Sequence, residues 1–158
     1  MSLIIREKIP TFNYIIDNIY LGDKEAVELQ TLLLQNKIEI VINISNSRYT
    51  EFEGITYFHF DIDDNKIEII SQFFKKIDII IDSNKNKNIL IHCMNSVSRS
   101  VTLVLYYLLN NMNLHDSLCY LKSKRTQYTK PNNGFIKQLL EIEKNKYGSN
   151  SVNIRNFY

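Results

Sequence analysis

Short apolar runs alternate with amphipathic segments over the first 92 residues of this 158-residue chain. Runs rich in β-branched residues and bounded by polar residues predict strands. The predicted strands are Tyr14–Ile16, Ile19–Leu21, Ile38–Ile44, Ile55–Phe60 and Asn88–His92. The third and fifth runs are almost wholly apolar, which is typical of central strands covered on both faces. Between the strands, apolar residues at helical spacing predict helices over Lys24–Gln35 and Glu68–Asp82.

After residue 98 the pattern becomes entirely helical, with predicted helices over about 99–111, 115–125 and 133–147. Asp116 suits the first turn of the second helix, and Asn132 suits the N-cap of the third, although Gly134 weakens that helix start. Strands alternating with helices, followed by a run of helices, predict an α/β fold. Its mostly parallel central sheet has about five strands flanked by helices. The polar tail, 148–158, is expected to be loosely held or docked through its aromatic residues.

Composition narrows the class of protein without identifying a function. The length suits one domain, and the 44% hydrophobic and 23% charged fractions are ordinary for a soluble globular protein. A net charge of +2 is too small to predict nucleic acid or membrane binding as the main function. The two cysteines do not make a disulfide framework, and the N-terminus lacks the pattern of a signal peptide. We therefore expect a protein of the cytoplasm, with the nucleus as a second compartment, and not a secreted one.

The segment from Asn88 to Ser100 joins an apolar strand, a short polar loop and a helix. Cys93 and Arg99 bracket the loop, with five residues between them: Met94, Asn95, Ser96, Val97 and Ser98. A loop at a helix N-terminus can turn its N–H groups towards a phosphate, and the planar guanidinium of Arg99 can hold two of its oxygens. The helix dipole and the cation also favour the thiolate form of Cys93, which is then a nucleophile towards phosphorus. The alternative is that Cys93 is an ordinary buried cysteine.

Several segments in order resemble the dual-specificity protein phosphatases of the cysteine-based protein tyrosine phosphatase superfamily. The phosphate-binding signature is matched by His92–Ser100 and its following helix by Val101–Leu109; further matches are Ile19–Gly22, Ile40–Ile44 and Pro131–Leu139. The last of these resembles the segment that backs the phosphate loop, and Asn132 belongs to it. The resemblance covers about residues 12–147. It implies a protein tyrosine phosphatase fold, and residues 1–158 as one catalytic domain with a polar tail.

The resemblance also implies roles for individual residues. Cys93 carries the phosphoryl group and Arg99 binds it, without a metal ion or other cofactor. A general acid is expected on the segment Phe60–Asn65, where spacing to Phe74 favours Asp64 and leaves Asp63 as the alternative. Ser100 follows the arginine, where its hydroxyl is expected to hydrogen-bond the thiolate and help it leave in the second step. His92 supports the loop and need not act as a base.

One position departs from the family. Ser96 stands where the family usually has a glycine; if that backbone needs positive φ, serine costs about 1–2 kcal/mol more than glycine. The departure keeps open a pseudophosphatase, a module that binds phosphoproteins with little turnover. Another enzyme class with the same cysteine and arginine spacing, such as an arsenate reductase or a sulfurtransferase, is a further alternative.

The resemblance bears on the substrate as well. The loop has no lysine between Cys93 and Arg99, which argues against phosphoinositides. No added segment walls a deep phosphotyrosine pocket, so proteins carrying phosphotyrosine, phosphoserine or phosphothreonine are expected as substrates. Four basic residues form either a recognition patch or a solvated face: Lys122, Lys124, Arg125 and Lys130. Helical spacing next to Leu118 and Leu121 favours a core position for Cys119, the alternative being a redox partner for Cys93.

Overall fold

A computed structural model describes residues 8–158 and places a five-stranded sheet at the centre of them. The strands are β1 (Phe12–Ile16), β2 (Ile19–Gly22), β3 (Ile38–Asn43), β4 (Thr56–His59) and β5 (Asn88–His92). Their order is β1-β2-β5-β3-β4. Strand β1 is antiparallel to β2, and the other three pairs are parallel. The predicted, mostly parallel sheet of five strands is confirmed. The expectation about a signal peptide concerns the N-terminus, where residues 1–7 lie outside the described part.

Helices cover both faces of the sheet. The short helices α1 (Lys24–Val27) and α2 (Gln30–Gln35) pack on one face. The other face carries α3 (Phe74–Asp82), α4 (Arg99–Leu108), α5 (Leu114–Lys124) and α6 (Asn133–Tyr147). No helix within residues 8–158 is long and apolar enough to cross a membrane.

The alternation of side chains in the central strands explains this layering. In β3, Ile40 and Ile42 point into the larger core, whereas Val41 joins the smaller core beneath α1 and α2. In β5, Leu90 likewise faces the smaller core. Successive residues of a strand point to opposite faces, so a run that is apolar at every position requires cover on both sides. The two central strands are accordingly covered on both faces, and β5 leads directly into the polar loop.

Two of the predicted helices are not continuous α-helices in the structure. The predicted helix 24–35 is divided, because Leu29 is extended, with φ −95° and ψ 93°. The predicted helix 68–82 begins as a 3-10 turn, Ile70–Phe73, before α3. The side-chain oxygen of Gln138 in α6 accepts a hydrogen bond from the backbone N–H of Ser71 at 3.0 Å, which holds this turn. Such long-range contacts are not visible in local apolar spacing.

Asparagine caps fix the starts of α5 and α6. Asn113 caps α5, and its Oδ1 accepts a hydrogen bond from the N–H of Asp116 at 2.8 Å. Asn132 caps α6 as predicted, with Oδ1 accepting from the N–H of Phe135 at 3.0 Å. Gly134, in the first turn of α6, is required by space, because a Cβ there would lie 2.1 Å from the carbonyl oxygen of Lys66.

We expect Gly134→Ala to destabilise the protein by about 2–4 kcal/mol, because neither backbone can withdraw without disturbing the start of α6. That loss corresponds to a fall in melting temperature of about 4–16 °C for a protein of this size. Thermal unfolding followed by circular dichroism measures it. Gly148→Ala is the matched control: its Cβ would meet open space at a C-cap with φ +82°, so a cost of about 1 kcal/mol is expected. Equal losses in the two variants would contradict the steric argument.

The C-terminal tail is docked, which is the second of the two expected arrangements. Val152 and Phe157 are buried against the larger core. The hydroxyl of Tyr158 donates a hydrogen bond to Oδ1 of Asn133 at 2.8 Å. The fully buried Glu143 of α6 accepts a hydrogen bond from the N–H of Ser151 at 2.9 Å, which ties the tail to the helix.

Candidate active site

The candidate site lies where the parallel strands end. The carboxyl ends of parallel strands meet at one edge of a sheet, where ligands commonly bind. Backbone hydrogen bonds continue past the strand ends, from Ile44 N–H to the His92 carbonyl at 2.9 Å and from Phe60 N–H to the Asn43 carbonyl at 2.8 Å. The segment that follows β4 is therefore brought beside the loop that follows β5.

The phosphate loop, residues 93–99, turns its carbonyl groups outward into the surrounding protein. Three of its carbonyls accept backbone hydrogen bonds: Met94 from Lys24 N–H at 3.1 Å, Val97 from Lys130 N–H at 3.0 Å and Ser98 from Thr102 N–H at 2.8 Å. The carbonyl of Ser96 accepts from the side chain of Arg125 at 2.7 Å.

The backbone N–H groups of residues 94–98 make no hydrogen bond to protein acceptors within residues 8–158. Backbone amides need a partner, and a run of free amides before a helix makes an anion-binding concavity. The arrangement is therefore suited to a tetrahedral oxyanion such as phosphate.

Cys93 lies at the base of this loop, and only 3% of it is exposed. Its Sγ is 3.1 Å from the Oγ of Ser100, which lies in the first turn of α4 and is fully buried. Helix α4 is buried on nearly all sides, so its N-terminus and the serine are held firmly. A hydroxyl beside a sulfur stabilises a thiolate by donating a hydrogen bond to it.

Arg99 begins α4 and extends towards the segment that follows β4. Its Nη1 donates to the carbonyl of Ile62 at 2.9 Å. Its Nε is buried and has no hydrogen-bond partner among the described residues. An arginine donates through five N–H groups, so the Nε of Arg99 can hydrogen-bond an anionic ligand.

The structure distinguishes the two candidate acids by their neighbours. The Oδ1 of Asp64 accepts hydrogen bonds from the Ser98 hydroxyl at 2.7 Å and from Nδ2 of Asn132 at 2.9 Å. The second carboxylate oxygen of Asp64 makes no hydrogen bond within residues 8–158. Asp63 instead accepts a hydrogen bond from Nδ2 of Asn46 at 2.5 Å. Asp64 is thus the carboxylate tied to the phosphate loop.

Asn132 and Ser98 connect the loop with α6. The backbone N–H of Asn132 donates to the Ser98 hydroxyl at 2.9 Å, while its side chain caps α6 and contacts Asp64. Ser98 is the N-cap residue of α4, yet its hydroxyl does not cap the helix and is used for these contacts instead. The first N–H groups of α4 therefore stay available to a ligand.

His92 is fully buried behind the loop. Its Nδ1 lies 3.2 Å from the carbonyl oxygen of Cys93, and its Nε2 lies 2.6 Å from the hydroxyl of Tyr49. Burial lowers the pKa of His92 to about 4, so the ring is neutral at physiological pH. A neutral ring can donate from Nδ1 and accept from Tyr49, which holds the start of the loop in place. Sequence reasoning missed Tyr49, which gives no local signal.

Ser96 has a left-handed backbone with φ 57°, and it is fully buried. The backbone here does need positive φ, so serine carries the conformational cost relative to glycine that was expected for that case. Arg125 holds the residue, with Nη1 donating to the Ser96 hydroxyl at 3.1 Å and Nη2 to its carbonyl. Only 5% of Arg125 is exposed, so it does not belong to the surface patch proposed for the basic residues.

Two further expectations concern residues outside the loop. Cys119 is exposed, and the predicted core position is wrong, because α5 turns Leu118 and Leu121 inward and leaves the cysteine on the solvent side.

His59, which has no evident partner in the sequence, lies within hydrogen-bond distance of Asn43 and Glu51. Lys130 stacks over the ring of Tyr158, with Nζ 3.8 Å from the ring centre.

Comparisons with known proteins agree with this geometry. Residues 19–145 match the model of the family described as dual specificity phosphatase, catalytic domain. The chain is 34% identical over 152 residues to human dual specificity protein phosphatase 21, covering 92% of this chain and 79% of that protein. It is 34% identical over 144 residues to rat dual specificity protein phosphatase 18, covering 88% and 70%. The crystal structure of DUSP15 superposes with a TM-score of 0.78 at 27% identity, covering 84% of this chain and 86% of that one.

Proposed function

Because this chain belongs to the dual-specificity protein phosphatase family, we propose that it hydrolyses protein phosphomonoesters through a thiolate at Cys93. The protein is a phosphoric monoester hydrolase, and its substrates are phosphoproteins. The proposal assigns Arg99, Asp64 and Ser100 to the chemistry.

In the first step the sulfur of Cys93 attacks phosphorus and the bond to the leaving oxygen breaks. The carboxylic acid of Asp64 gives its proton to that oxygen, so tyrosine, serine or threonine leaves as a neutral hydroxyl. In the second step Asp64, now a carboxylate, takes a proton from water while that water attacks the phosphocysteine. The S–P bond breaks, inorganic phosphate leaves, and the thiolate and the acid are restored.

The outward orientation of the loop carbonyls supports this proposal most directly. It leaves consecutive N–H groups free at a helix N-terminus, where they can bind the three non-bridging oxygens of a phosphate. The same donors stabilise the charge that develops on these oxygens in the transition state. Arg99, with its unpartnered Nε, provides the planar donor pair for two of them.

The first test is turnover. Steady release of p-nitrophenol from p-nitrophenyl phosphate over many catalytic cycles is expected, whereas a pseudophosphatase would release none beyond one equivalent. Arsenate reduction and sulfur transfer from thiosulfate are expected to be absent. A panel of phosphopeptides, with trapping by Cys93→Ser, then tests the substrate class. Hydrolysis of phosphotyrosine together with phosphoserine and phosphothreonine peptides supports dual specificity; hydrolysis of phosphoinositides alone would contradict it.

Ser100 is assigned to the second step, because its hydroxyl lies 3.1 Å from the sulfur that must leave as a thiolate. We expect Ser100→Ala to lower kcat by about 10- to 100-fold and to let the phosphoenzyme accumulate. Rapid-quench measurement shows this as a burst of p-nitrophenol followed by slow turnover. Thr102→Ser is the control, since the Thr102 hydroxyl donates to the carbonyl of Ser98 and not to the sulfur, so this variant should show no burst. A loss of kcat without a burst would contradict the role.

The remaining proposals concern the rest of the chain. Residues 12–147 form the catalytic core of one domain, and residues 148–158 are a tail packed on it. The burial of Phe157 supports this packing of the tail.

Both cysteines are free, which supports a reducing compartment such as the cytoplasm. The small net charge supports partners other than nucleic acid or membranes. Fluorescence microscopy of the tagged protein tests the compartment, with the nucleus as the second expected location.

A further inference from the structure

The backbone of the phosphate loop is in an unfavourable conformation for its sequence. Ser96 has φ 57°, in the left-handed region that residues with a Cβ rarely adopt. It is fully buried, so solvent does not compensate its polar groups. A residue persists in this region only when its surroundings hold it there. The surroundings of Ser96 therefore need to supply that restraint.

Arg125 supplies a restraint at two points. It follows α5, 29 residues from Ser96 in sequence, and donates from Nη1 to the serine hydroxyl at 3.1 Å and from Nη2 to the serine carbonyl at 2.7 Å. One planar group thus fixes both a side-chain and a main-chain atom of the same residue. A glycine at this position would offer only the carbonyl. The hydroxyl contact is consequently a feature of the serine in this chain.

Arg125 is also a buried cation without a carboxylate partner. Within residues 8–158, no carboxylate lies at ion-pair distance from its guanidinium, and its Nε has no hydrogen-bond partner. Burial lowers the pKa of Arg125 to about 10, while charge on Cys93 and then Asp23 raises it. The group remains a cation at neutral pH. A buried cation is unfavourable unless an anion compensates it, and Cys93 is at the base of the loop that Arg125 contacts.

We propose that Arg125 is a positioning residue that holds Ser96 in its left-handed conformation and places a second positive charge at the buried side of the phosphate loop. This charge is complementary to the thiolate of Cys93 and to the bound phosphate. The inference rests on the proposed function of Cys93 as the nucleophile. Serine in place of the family glycine is tolerated here because the arginine compensates for its strain.

The two carboxylates near the loop, Asp23 and Asp64, accept hydrogen bonds from groups other than Arg125. Asp23 is buried, and both of its carboxylate oxygens accept backbone hydrogen bonds, from Ala26 at 2.9 Å and Thr11 at 3.0 Å. Asp64 is held by Ser98 and Asn132.

The remaining titratable side chains near the phosphate loop are cationic, uncharged or paired with a carboxylate. Burial lowers the pKa of His92 to about 4, so its ring carries no charge at neutral pH. The ammonium of Lys24 is paired with Glu28 at 2.9 Å. Lys130 contacts Val97 through its backbone N–H, while its ammonium lies over the ring of Tyr158. Among residues 8–158, the cationic side chains that belong to the loop or hydrogen-bond it are thus Arg99, which bonds the carbonyl of Ile62, and Arg125, which bonds Ser96.

The experiment uses a Cys119→Ser background, in which Cys93 is the sole thiol. Arg125→Met removes the charge while keeping most of the side-chain volume, and Arg125→Lys keeps the charge but loses the two-point contact. The matched control is Arg155→Met, which removes the same charge from an exposed arginine in the tail. The readouts are kcat/KM for p-nitrophenyl phosphate, the rate of Cys93 alkylation by iodoacetamide at a fixed, mildly acidic pH, and thermal unfolding.

We expect Arg125→Met to slow alkylation by about tenfold and to lower kcat/KM by about 10- to 100-fold, because the sulfur loses a nearby positive charge and the loop loses its restraint. Arg125→Lys should alkylate at a rate closer to wild type yet still lose kcat/KM. Arg155→Met should match wild type in both. Unchanged alkylation and unchanged kcat/KM in a folded Arg125→Met protein would overturn the proposal, as would an equal effect in Arg155→Met.

Variants of Ser96 test the conformational part even if Arg125→Met does not fold. Ser96→Ala removes the hydroxyl contact but keeps the strain, and it should lower kcat/KM. Ser96→Gly removes the strain together with the hydroxyl, so its kcat/KM should be higher than that of Ser96→Ala. In a double-mutant cycle, Arg125→Lys should cost about fivefold less in the Ser96→Gly protein. Equal costs in both backgrounds would contradict the coupling. If Cys93→Ser keeps activity, the proposed function fails; if it is inactive and the Arg125 variants behave as wild type, only this inference fails.

Discussion

Replacement of Cys93 by serine is expected to lower kcat for p-nitrophenyl phosphate by at least about 10⁴-fold, since the proposed mechanism depends on this one nucleophile. A serine hydroxyl is far less ionised than a thiol and a weaker nucleophile towards phosphorus. The replacement is nearly isosteric, so the phosphate loop and the neighbouring Ser100 should keep their places. The fold should survive, with a melting temperature close to that of wild type.

Cys119→Ser provides the matched control, because it makes the same chemical change at an exposed position on α5. It should retain activity within about twofold, as expected for a surface substitution. The inactive Cys93→Ser protein should still bind phosphopeptides, because the free loop amides and Arg99 are intact. Activity that persisted in Cys93→Ser would rule out the thiolate mechanism. A wild-type protein that binds phosphopeptides but releases no phosphate would instead be a pseudophosphatase.

The second large effect is expected at Asp64. Asp64→Asn should lower kcat by about 10²- to 10⁴-fold with aryl or alkyl phosphates, because the leaving oxygen no longer receives a proton. The decline of kcat at alkaline pH should also flatten, since that decline reports loss of the proton from the acid. The decline at acidic pH, which reports protonation of the nucleophile, should remain. Steady-state kinetics over a range of pH measures both limbs.

Asp63→Asn is the matched comparison, because it makes the same substitution one residue away. Its carboxylate bonds Asn46 and not the phosphate loop, so activity within about threefold of wild type and an unaltered pH profile are expected. The reverse outcome, a flattened alkaline limb in Asp63→Asn and a normal one in Asp64→Asn, would transfer the acid role to Asp63. A substrate with a very good leaving group should lose less on Asp64→Asn, because it needs little proton donation.

The local pattern of apolar and polar residues predicted much of the fold. The apolar runs that became β3 and β5 predicted buried central strands, because a strand that is apolar at every position needs cover on both faces. The divided helix at Leu29 and the 3-10 turn before α3 were not predictable in this way. Their conformations depend on contacts with distant segments, such as the hydrogen bond between Gln138 and Ser71, 67 residues apart.

The candidate site shows the same division. The order of strand, polar loop and helix placed Cys93 and Arg99 at the two ends of one loop, because their relation lies within one short segment. Their catalytic roles stay a prediction. Asp64 and Asp63 were adjacent alternatives in the sequence, and their different surroundings follow from a contact between Asp64 and Ser98, 34 residues apart. The role inferred for Arg125 had no local signal, and the same holds for the exposed position of Cys119.

The sequence by itself thus determined that a thiol and a guanidinium lie at the two ends of a short loop between an apolar strand and a helix, which is a local arrangement. Only the tertiary structure decided which carboxylate faces that loop, which arginine is buried behind it, and that Ser96 is in a left-handed conformation. The physical reason is that these features depend on packing and hydrogen bonds between segments that are far apart in the chain. Local spacing carries no information about which distant group will be buried against which.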